Sequence, residues 1–159
     1  MIKIFAKAWE QNSKDLEKWF AETPQSEYDN YETIWNRVLE VIVNPTWTDY
    51  YMKFNTNKTV EIDHGDYQGT LIFLTPTNAY QPCGSEYVVT EVYYGSCSGC
   101  DTLLGISCYG ENLPNEQQVK DYMTLALHLL QKAKPLYSDH GEWVENWWGE
   151  EIAEVKDND

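Results

Sequence analysis

Thr70-Leu71-Ile72-Phe73-Leu74 is the stretch of sequence that decides the fold, because it is apolar on both faces of an extended chain. Such a strand is typical of the middle of a sheet, where it is covered on each side. Its predicted neighbour is Tyr87–Tyr94, in which Val88, Val92 and Tyr94 share one face. The segments 76–85 and 95–99 are predicted to be loops. We expect the strands over Thr70–Leu74 and Tyr87–Tyr94 to form the centre of the sheet.

A hairpin before this pair completes the predicted sheet. Apolar residues alternate with polar ones over Tyr50–Phe54 and again over Val60–Ile62, and Asn55–Lys58 supplies turn residues between them. Alternation with a period of two predicts extended strands that bury one face. We therefore expect a mixed or antiparallel sheet of about four strands.

Two long helices are predicted to cover the sheet, over Tyr28–Ile42 and Asn115–Lys132, where apolar residues recur every three or four positions. A shorter helix is predicted over Asn12–Glu22. We expect caps or first-turn residues at the following positions: Asn12 or Ser13, Ser26 with Asp29, and Pro114. The chain of 159 residues is long enough for one ordinary core, so the prediction is a single-domain α+β fold.

The charge and composition exclude several classes of function. Eleven basic against twenty-six acidic residues give a net charge of -15, which opposes direct binding to nucleic acid or to anionic lipid. No apolar run reaches the roughly 20 residues that a membrane span needs, and the first nine residues lack the features of a secretory signal. We therefore expect a protein of the reducing cytosol, with its four cysteines free, metal-bound or redox-active.

The most specific motif is Gly95-Ser96-Cys97-Ser98-Gly99-Cys100-Asp101, directly after a predicted strand. Two cysteines at this spacing can turn both sulfurs toward one point, as zinc sites and redox dithiols require. A zinc site would need Cys83 and Cys108, or His64, to complete it. Three interpretations stay open: structural zinc, a redox pair in which Cys97 is the low-pKa nucleophile, or thiols that pack a glycine-rich turn.

A second motif, His64-Gly65-Asp66-Tyr67-Gln68-Gly69, lies at a predicted strand-to-strand turn. An imidazole beside carboxylates can bind a metal or act as a general base. Asp and Gly are also ordinary turn residues, so a purely structural turn is the alternative. We expect the two motifs to lie side by side, which would place a ligand site among the following residues: His64, Asp66, Tyr67, Gln68, Ser96, Ser98 and Asp101.

The C-terminal segment is predicted to be an acidic amphipathic helix, with fraying after residue 155. Carboxylates on a rigid helix can imitate nucleic-acid phosphates and occupy a basic surface of another protein. The candidate partner-binding residues are Glu142, Trp143, Glu145, Trp147, Trp148, Glu150, Glu151 and Glu154. The alternative is a solvated helix face that covers the core with its tryptophans.

The two motifs together, over Asp63–Leu104, resemble a group of small, mostly uncharacterised proteins of bacteriophages and prophages. The cysteine that often follows closely in that family falls later here, at Cys108. The resemblance implies an accessory phage protein of the bacterial cytoplasm, such as an inhibitor of a host defence or a host enzyme.

Our leading hypothesis is therefore a non-catalytic protein that binds a basic host protein through its acidic surface. The first alternative is a ligand-binding protein or a redox or metal enzyme at the two turns, with zinc as the only cofactor considered. The second alternative is a virion or assembly component. The sequence carries no complete catalytic set that would separate these classes.

Overall fold

A four-stranded antiparallel sheet lies at the centre of the fold in the computed structural model, which describes residues 2–25, 30–106 and 112–136. The sheet order follows the chain, and each strand is antiparallel to the next. Its strands are β1 (Val60–Asp63), β2 (Gly69–Pro76), β3 (Tyr87–Tyr94) and β4 (Lys134–Pro135). The predicted α+β fold is confirmed, and β2 and β3 form the centre of the sheet.

The hydrophobic core packs against one face of β2 and β3. Phe73 and Val88 are fully buried, and the pairing of Phe73 with Thr90 sets the two strands in register. On the other face Tyr93 is 50% exposed, while Ile72 is half-buried. The central position predicted for β2 is therefore confirmed, although the fully buried side chains lie on one face.

Buried threonines on the core face join the sheet to the helices. The hydroxyl of Thr75 in β2 accepts a hydrogen bond from the indole Nε1 of Trp35 at 3.2 Å. The hydroxyl of Thr90 in β3 donates to the carbonyl of Leu129 at 2.6 Å. A buried polar group is costly unless it is paired, so these bonds help to fix where each helix lies on the sheet.

The first helix is longer than predicted. It is α1 (Lys3–Glu22), which begins nine positions before Asn12 because Ile4 and Phe5 continue the buried stripe that includes Leu16. The prediction that Asn12 or Ser13 caps this helix is wrong. The Asn12 amide lies inside the helix and donates to the carbonyl of Ile42 at 2.8 Å.

The second predicted helix is present but changes its winding. It consists of α2 (Tyr31–Val38) followed by a π-helical turn over Leu39–Val43. Asn30 caps its start by accepting the N–H of Thr33 at 3.0 Å. The predicted capping pair in 26–29 lies outside the described residues.

The predicted strand over Tyr50–Phe54 is wrong. The chain there forms 3-10 turns, Tyr50–Met52 and Thr56–Lys58, and Phe54 makes only an isolated bridge to Thr77. The amide of Asn44 bonds both the N–H and the carbonyl of Phe54, at 2.8 and 3.0 Å. The predicted hairpin would have needed these backbone groups to pair Tyr50–Phe54 with β1. They are already bonded to Asn44, and β1 pairs with β2.

The remaining helices follow β3. A short helix α3 (Thr102–Ile106) is succeeded by α4 (Glu116–Lys132), as the periodicity of that segment predicts. Asn115 and Gln118 form a capping box at the start of α4, so Pro114 lies just before the cap and not in the first turn. The predicted acidic helix falls within 137–159, outside the described residues. Among the described helices, none is both long and apolar enough to cross a membrane.

Candidate dithiol site

The two sequence motifs lie at the same end of the sheet. Gly69 at the start of β2 pairs with Tyr94 at the end of β3, so the β1–β2 turn and the segment after β3 are neighbours. The Tyr94 hydroxyl donates to Asp63 Oδ1 at 2.9 Å, and the Tyr93 hydroxyl donates to Gln68 Oε1 at 3.1 Å. The strand pairing that we expected to place the motifs side by side is therefore present.

The His64–Gly69 segment has the features of a structural turn. Asp63 Oδ1 accepts the N–H of Gly65 at 2.8 Å as well as the Tyr94 hydroxyl. A Cβ atom at Gly65 would collide with the Gln68 carbonyl and the Tyr94 hydroxyl, so this turn requires glycine. His64, Asp66 and Tyr67 are exposed to solvent. Local hydrogen bonds and the packing of Gly65 account for the geometry of this turn, which favours the structural interpretation over the ligand-binding one.

The cysteine motif forms a tight turn that brings its two thiols together. The Cys97 carbonyl accepts the N–H groups of Cys100 and Asp101, at 3.0 and 2.9 Å. The N–H of Cys97 donates to Cys100 Sγ at 3.0 Å, and both cysteines are exposed. Gly95 packs against this turn, since a Cβ there would lie 2.6 Å from the Cys100 carbonyl and 2.8 Å from its sulfur.

Hydrogen bonds lower the pKa of Cys100. The largest contribution is the bond from the Cys97 thiol, and the backbone N–H groups of Cys97 and Ser96 and the Ser96 hydroxyl also stabilise the Cys100 thiolate against the opposing effect of desolvation. The expected nucleophile was Cys97. The bonds that stabilise a thiolate converge on Cys100 Sγ, which when protonated also donates to the Cys97 carbonyl at 3.2 Å, so Cys100 becomes the candidate nucleophile.

A buried carboxylate holds this turn in place. Asp101 is 7% exposed, and its Oδ2 accepts the N–H of Gly95 at 3.0 Å. Its Oδ1 accepts the N–H of Leu104 at 3.0 Å and the hydroxyl of Tyr31 at 2.8 Å. The Tyr31 oxygen in turn accepts the N–H of Leu103 at 3.0 Å. With these donors on its oxygens, Asp101 positions the turn, whereas the sequence had suggested that it binds a ligand.

The two serines of the motif make different contacts in the turn. The Ser96 hydroxyl and N–H contribute to the low pKa of Cys100. The Ser98 carbonyl lies against α3, where a Cβ at Gly105 would approach it to 2.9 Å. Both serine side chains are exposed, so they remain accessible to a ligand.

Cys83 does not join this pair. Cys83 precedes the 3-10 turn Gly84–Glu86 that leads into β3, so it lies at the opposite end of that strand, roughly 25 Å away along its length. Cys108 lies outside the described residues. Residues 2–25, 30–106 and 112–136 contain no cluster of three or more metal-binding side chains. Zinc binding by Cys97 and Cys100 therefore stays a prediction, and Cys83 is too far away to be a third ligand.

Carboxylates gather near the His64–Gly69 turn, and we call Glu32, Glu61, Asp63 and Asp66 the acidic cluster. Burial, and then the charges of Glu32 and Asp63, raise the pKa of Glu61. Burial, the hydrogen bond to Asp63 and the charges of Asp63, Asp66 and Glu61 raise the pKa of Tyr94. Of these four residues, only Asp66 was among the predicted ligand-binding residues. The alternation of Glu61 and Asp63 along β1 was the available signal, whereas nothing local indicated Glu32.

A cleft of about 180 Å³ opens beside the cysteine turn, between β3, the start of α3 and α4. Its walls include Glu91, Thr102, His128 and Lys132. His128 is exposed to solvent where it lines this cleft. The cleft could not be predicted, because its walls are far apart in sequence.

The chain matches no protein-family model, no curated protein and no solved structure. The resemblance to phage proteins therefore stays a prediction, and the function has to be argued from the geometry of the site.

The close packing of Gly95 against Cys100 generates a first prediction. Gly95→Ala should destabilise the protein by about 1–3 kcal/mol and raise the thiol pKa of Cys100, because the added Cβ overlaps the turn. Gly99→Ala is the matched control in the same turn, because its Cβ would meet no atom within 4 Å. Urea unfolding and thiol titration would measure both effects. Equal unfolding free energies and equal Cys100 pKa values in the two variants would contradict this packing.

The bond between Tyr31 and Asp101 generates a second prediction, on alkaline stability. Burial is the main cause that raises the pKa of Tyr31 above its usual 10.0, so the folded state keeps this proton at pH values where the unfolded state loses it. The resulting stabilisation is complete below pH 10 and decreases as the pH rises toward the folded pKa. Unfolding free energy should therefore fall more steeply above pH 10 in the wild type than in Tyr31→Phe.

The same variant should also be less stable at neutral pH, by about 1–3 kcal/mol, because Asp101 and the Leu103 N–H each lose a buried partner. Tyr93→Phe is the matched control, since the hydroxyl it removes is bonded at the surface. If Tyr31→Phe and wild type lost stability in parallel up to pH 12, the buried bond would not exist in solution.

Proposed function

We propose that this protein is a thiol–disulfide exchange protein whose working groups are Cys97 and Cys100. The observation that carries the proposal is the bond from the Cys97 N–H to Cys100 Sγ at 3.0 Å, in an exposed turn. This arrangement stabilises one thiolate and keeps the second thiol within reach of it. Packed inert thiols are expected to be buried, which is the reverse of the exposure found here.

The proposed reaction uses a small disulfide as the oxidant. The Cys100 thiolate attacks one sulfur of that disulfide, a new S–S bond forms, and the other sulfur leaves as a thiolate that takes up a proton. The Cys97 thiol then gives up its proton and attacks Cys100 Sγ, which releases the second thiolate. One external disulfide becomes two thiols, and the protein gains the Cys97–Cys100 disulfide.

The surrounding turn supports this exchange. Gly95 leaves room for Cys100 against the backbone, and Asp101 fixes the turn from its buried side. The low pKa of Cys100 arises from hydrogen bonds, chiefly from the Cys97 thiol, so the resolving cysteine also activates the attacking one. The proposal therefore gives these contacts of the turn a chemical use that needs neither a metal nor a separate base.

The third prediction tests this exchange in glutathione buffers. Wild type should form the Cys97–Cys100 disulfide with a midpoint between about -270 and -120 mV, the range of known exchange proteins. Cys97→Ser should accumulate a mixed disulfide at Cys100, since no thiol is left to resolve it. Cys83→Ser is the control, because it removes an exposed cysteine at the other end of β3 and should oxidise like wild type. Mass spectrometry of alkylated peptides would identify each species.

Two outcomes would count against the exchange proposal. Near-stoichiometric zinc in protein prepared without chelators, lost in Cys100→Ser, would favour the metal interpretation with Zn–S bonds of about 2.3 Å. Failure of Cys97 and Cys100 to form a disulfide at any glutathione ratio, in metal-free protein, would leave the packed-thiol interpretation.

Our second proposal is that the protein docks on a basic partner, such as a host protein inhibited by a phage. The net charge of -15 and the like charges gathered in the acidic cluster favour it. Like charges on one surface repel each other and gain from a positive partner, which raises the association rate more than the affinity. The tail residues named above for this role, including Glu142 and Trp147, lie outside the described residues.

The fourth prediction tests this docking with a partner captured from the host. Reversal of Glu150, Glu151 and Glu154 to lysine should slow association and flatten its dependence on salt, because steering by surface charge is screened beyond about 8 Å at physiological salt. Trp147→Ala should chiefly accelerate dissociation. Reversal of Glu10, an exposed residue of α1, is the control. Identical rates and salt slopes in all variants would exclude docking through the tail.

A further inference from the structure

Consecutive residues of β3 turn their backbone groups toward opposite neighbours. The Glu86 carbonyl, just before the strand, accepts the Thr77 N–H on the β2 side at 2.9 Å. The next carbonyl, that of Tyr87, accepts the Leu136 N–H on the β4 side at 2.9 Å. Because this alternation continues along a strand, every second residue from Tyr87 presents its N–H and its carbonyl to the β4 side.

The end of this edge nearest the cysteine turn has no strand beside it in the described part of the chain. β4 pairs with Val88 and Val89, and its line ends there because the residues before it belong to α4. The next two residues that face the β4 side are Glu91 and Tyr93, and no described group bonds to their backbone on that side. An open strand edge of this kind can pair with another extended chain.

The cleft beside the cysteine turn lies along this open edge. It contacts Val92, which is buried on the core face, and also Glu91 and Tyr93, which are exposed on the other face. A cleft that reaches residues of both faces has to lie at the edge of the strand. Its opposite wall is one side of α4, with His128 and Lys132. The strand edge and the helix therefore form a groove of about 180 Å³.

The groove ends at the dithiol. Gly95 lies two residues beyond Tyr93, and a Cβ atom there would lie 2.8 Å from Cys100 Sγ. On the other side of the turn Thr102, two residues after Cys100, lines the groove. Two residues span at most about 7 Å, so the Cys100 backbone lies within that distance of a groove-lining residue. An extended chain in this groove would therefore pass close to Cys100 Sγ.

Resting on the proposed exchange function, we infer that the substrate is a disulfide in an extended polypeptide segment that pairs with the open edge at Glu91 and Tyr93. The segment continues the line of β4, which shows that this edge accepts an extended chain. Cys100 Sγ forms an S–S bond with the substrate cysteine, whose former partner sulfur leaves as a thiolate and takes up a proton. Cys97 then gives up its proton and attacks Cys100 Sγ, which releases the substrate cysteine as a thiol.

Backbone methylation of one peptide tests this inference, because strand pairing uses every second N–H. The substrate is a threonine-rich peptide of eight residues whose central cysteine carries a disulfide to 2-mercaptoethanol. One version is N-methylated at two alternate amides, and a matched version is methylated at the two intervening amides. One of them should react with Cys100 about tenfold more slowly than the unmethylated peptide, because each lost hydrogen bond lowers affinity roughly two- to tenfold. The other should react at nearly the unmethylated rate.

Two variants on α4 locate the effect in the groove. His128→Trp narrows the groove and should remove the difference in rate between the two methylated peptides. Gln117→Trp is the matched control, because Gln117 is an exposed residue of the same helix about 16 Å from His128 along its axis. The control should keep the difference that the wild type shows.

Hydrogen exchange measures the binding itself, with a peptide in which serine replaces the cysteine so that no disulfide can form. In wild type this peptide should slow exchange at the N–H groups of Glu91 and Tyr93, which face the groove. The Val92 N–H is the internal control, because it faces β2 and should exchange at the same rate with and without the peptide.

The outcomes separate the inference from the function on which it rests. If 2-hydroxyethyl disulfide oxidises the Cys97–Cys100 pair while both methylated peptides react as fast as the unmethylated one, exchange stands and strand pairing is overturned. A difference that persists in His128→Trp also overturns it. So does a wild type that forms dimers which His128→Trp dissociates, because a second copy would then occupy the edge. If neither this small disulfide nor any peptide reacts at Cys100, the exchange function itself fails, and the inference fails with it.

Discussion

The buried carboxylate of Asp101 ties the candidate site to the rest of the fold. Its oxygens accept hydrogen bonds from Gly95 in the same loop, from Leu104 in α3 and from Tyr31 at the start of α2. Removal of a carboxylate from water is unfavourable unless donors replace the lost hydration, so loss of any one of these donors would destabilise the loop. The shape of the cysteine turn therefore depends on a helix that begins about 70 residues earlier.

The chemistry of the turn follows from this arrangement. The buried side of the loop is held by Asp101, and the exposed side carries the two thiols. Because Asp101 holds the loop in place, the N–H of Cys97 can donate to Cys100 Sγ without further ordering of the chain. Support of this kind lets a loop position side chains as accurately as a strand does.

The local patterns that were predicted correctly share a physical origin. Alternation along β3 and helical periodicity along α4 each record which side of an element meets the core, and that requirement holds whatever the partner is. The strand predicted over Tyr50–Phe54 shows where this reasoning stops. Its alternation is real, but the amide of Asn44 binds the backbone of Phe54 and takes the groups that pairing would use.

The sequence by itself determined the fold class, the two central strands, and the presence of two cysteines at a spacing that turns their sulfurs together. Those properties depend on neighbours within a few residues, and such neighbours can be read along the chain. Only the tertiary structure decided that hydrogen bonds lower the pKa of Cys100, that Asp101 holds the turn from its buried side, and that Cys83 lies at the other end of β3. Each of these depends on hydrogen bonds, burial or strand direction, which arise only when distant segments meet.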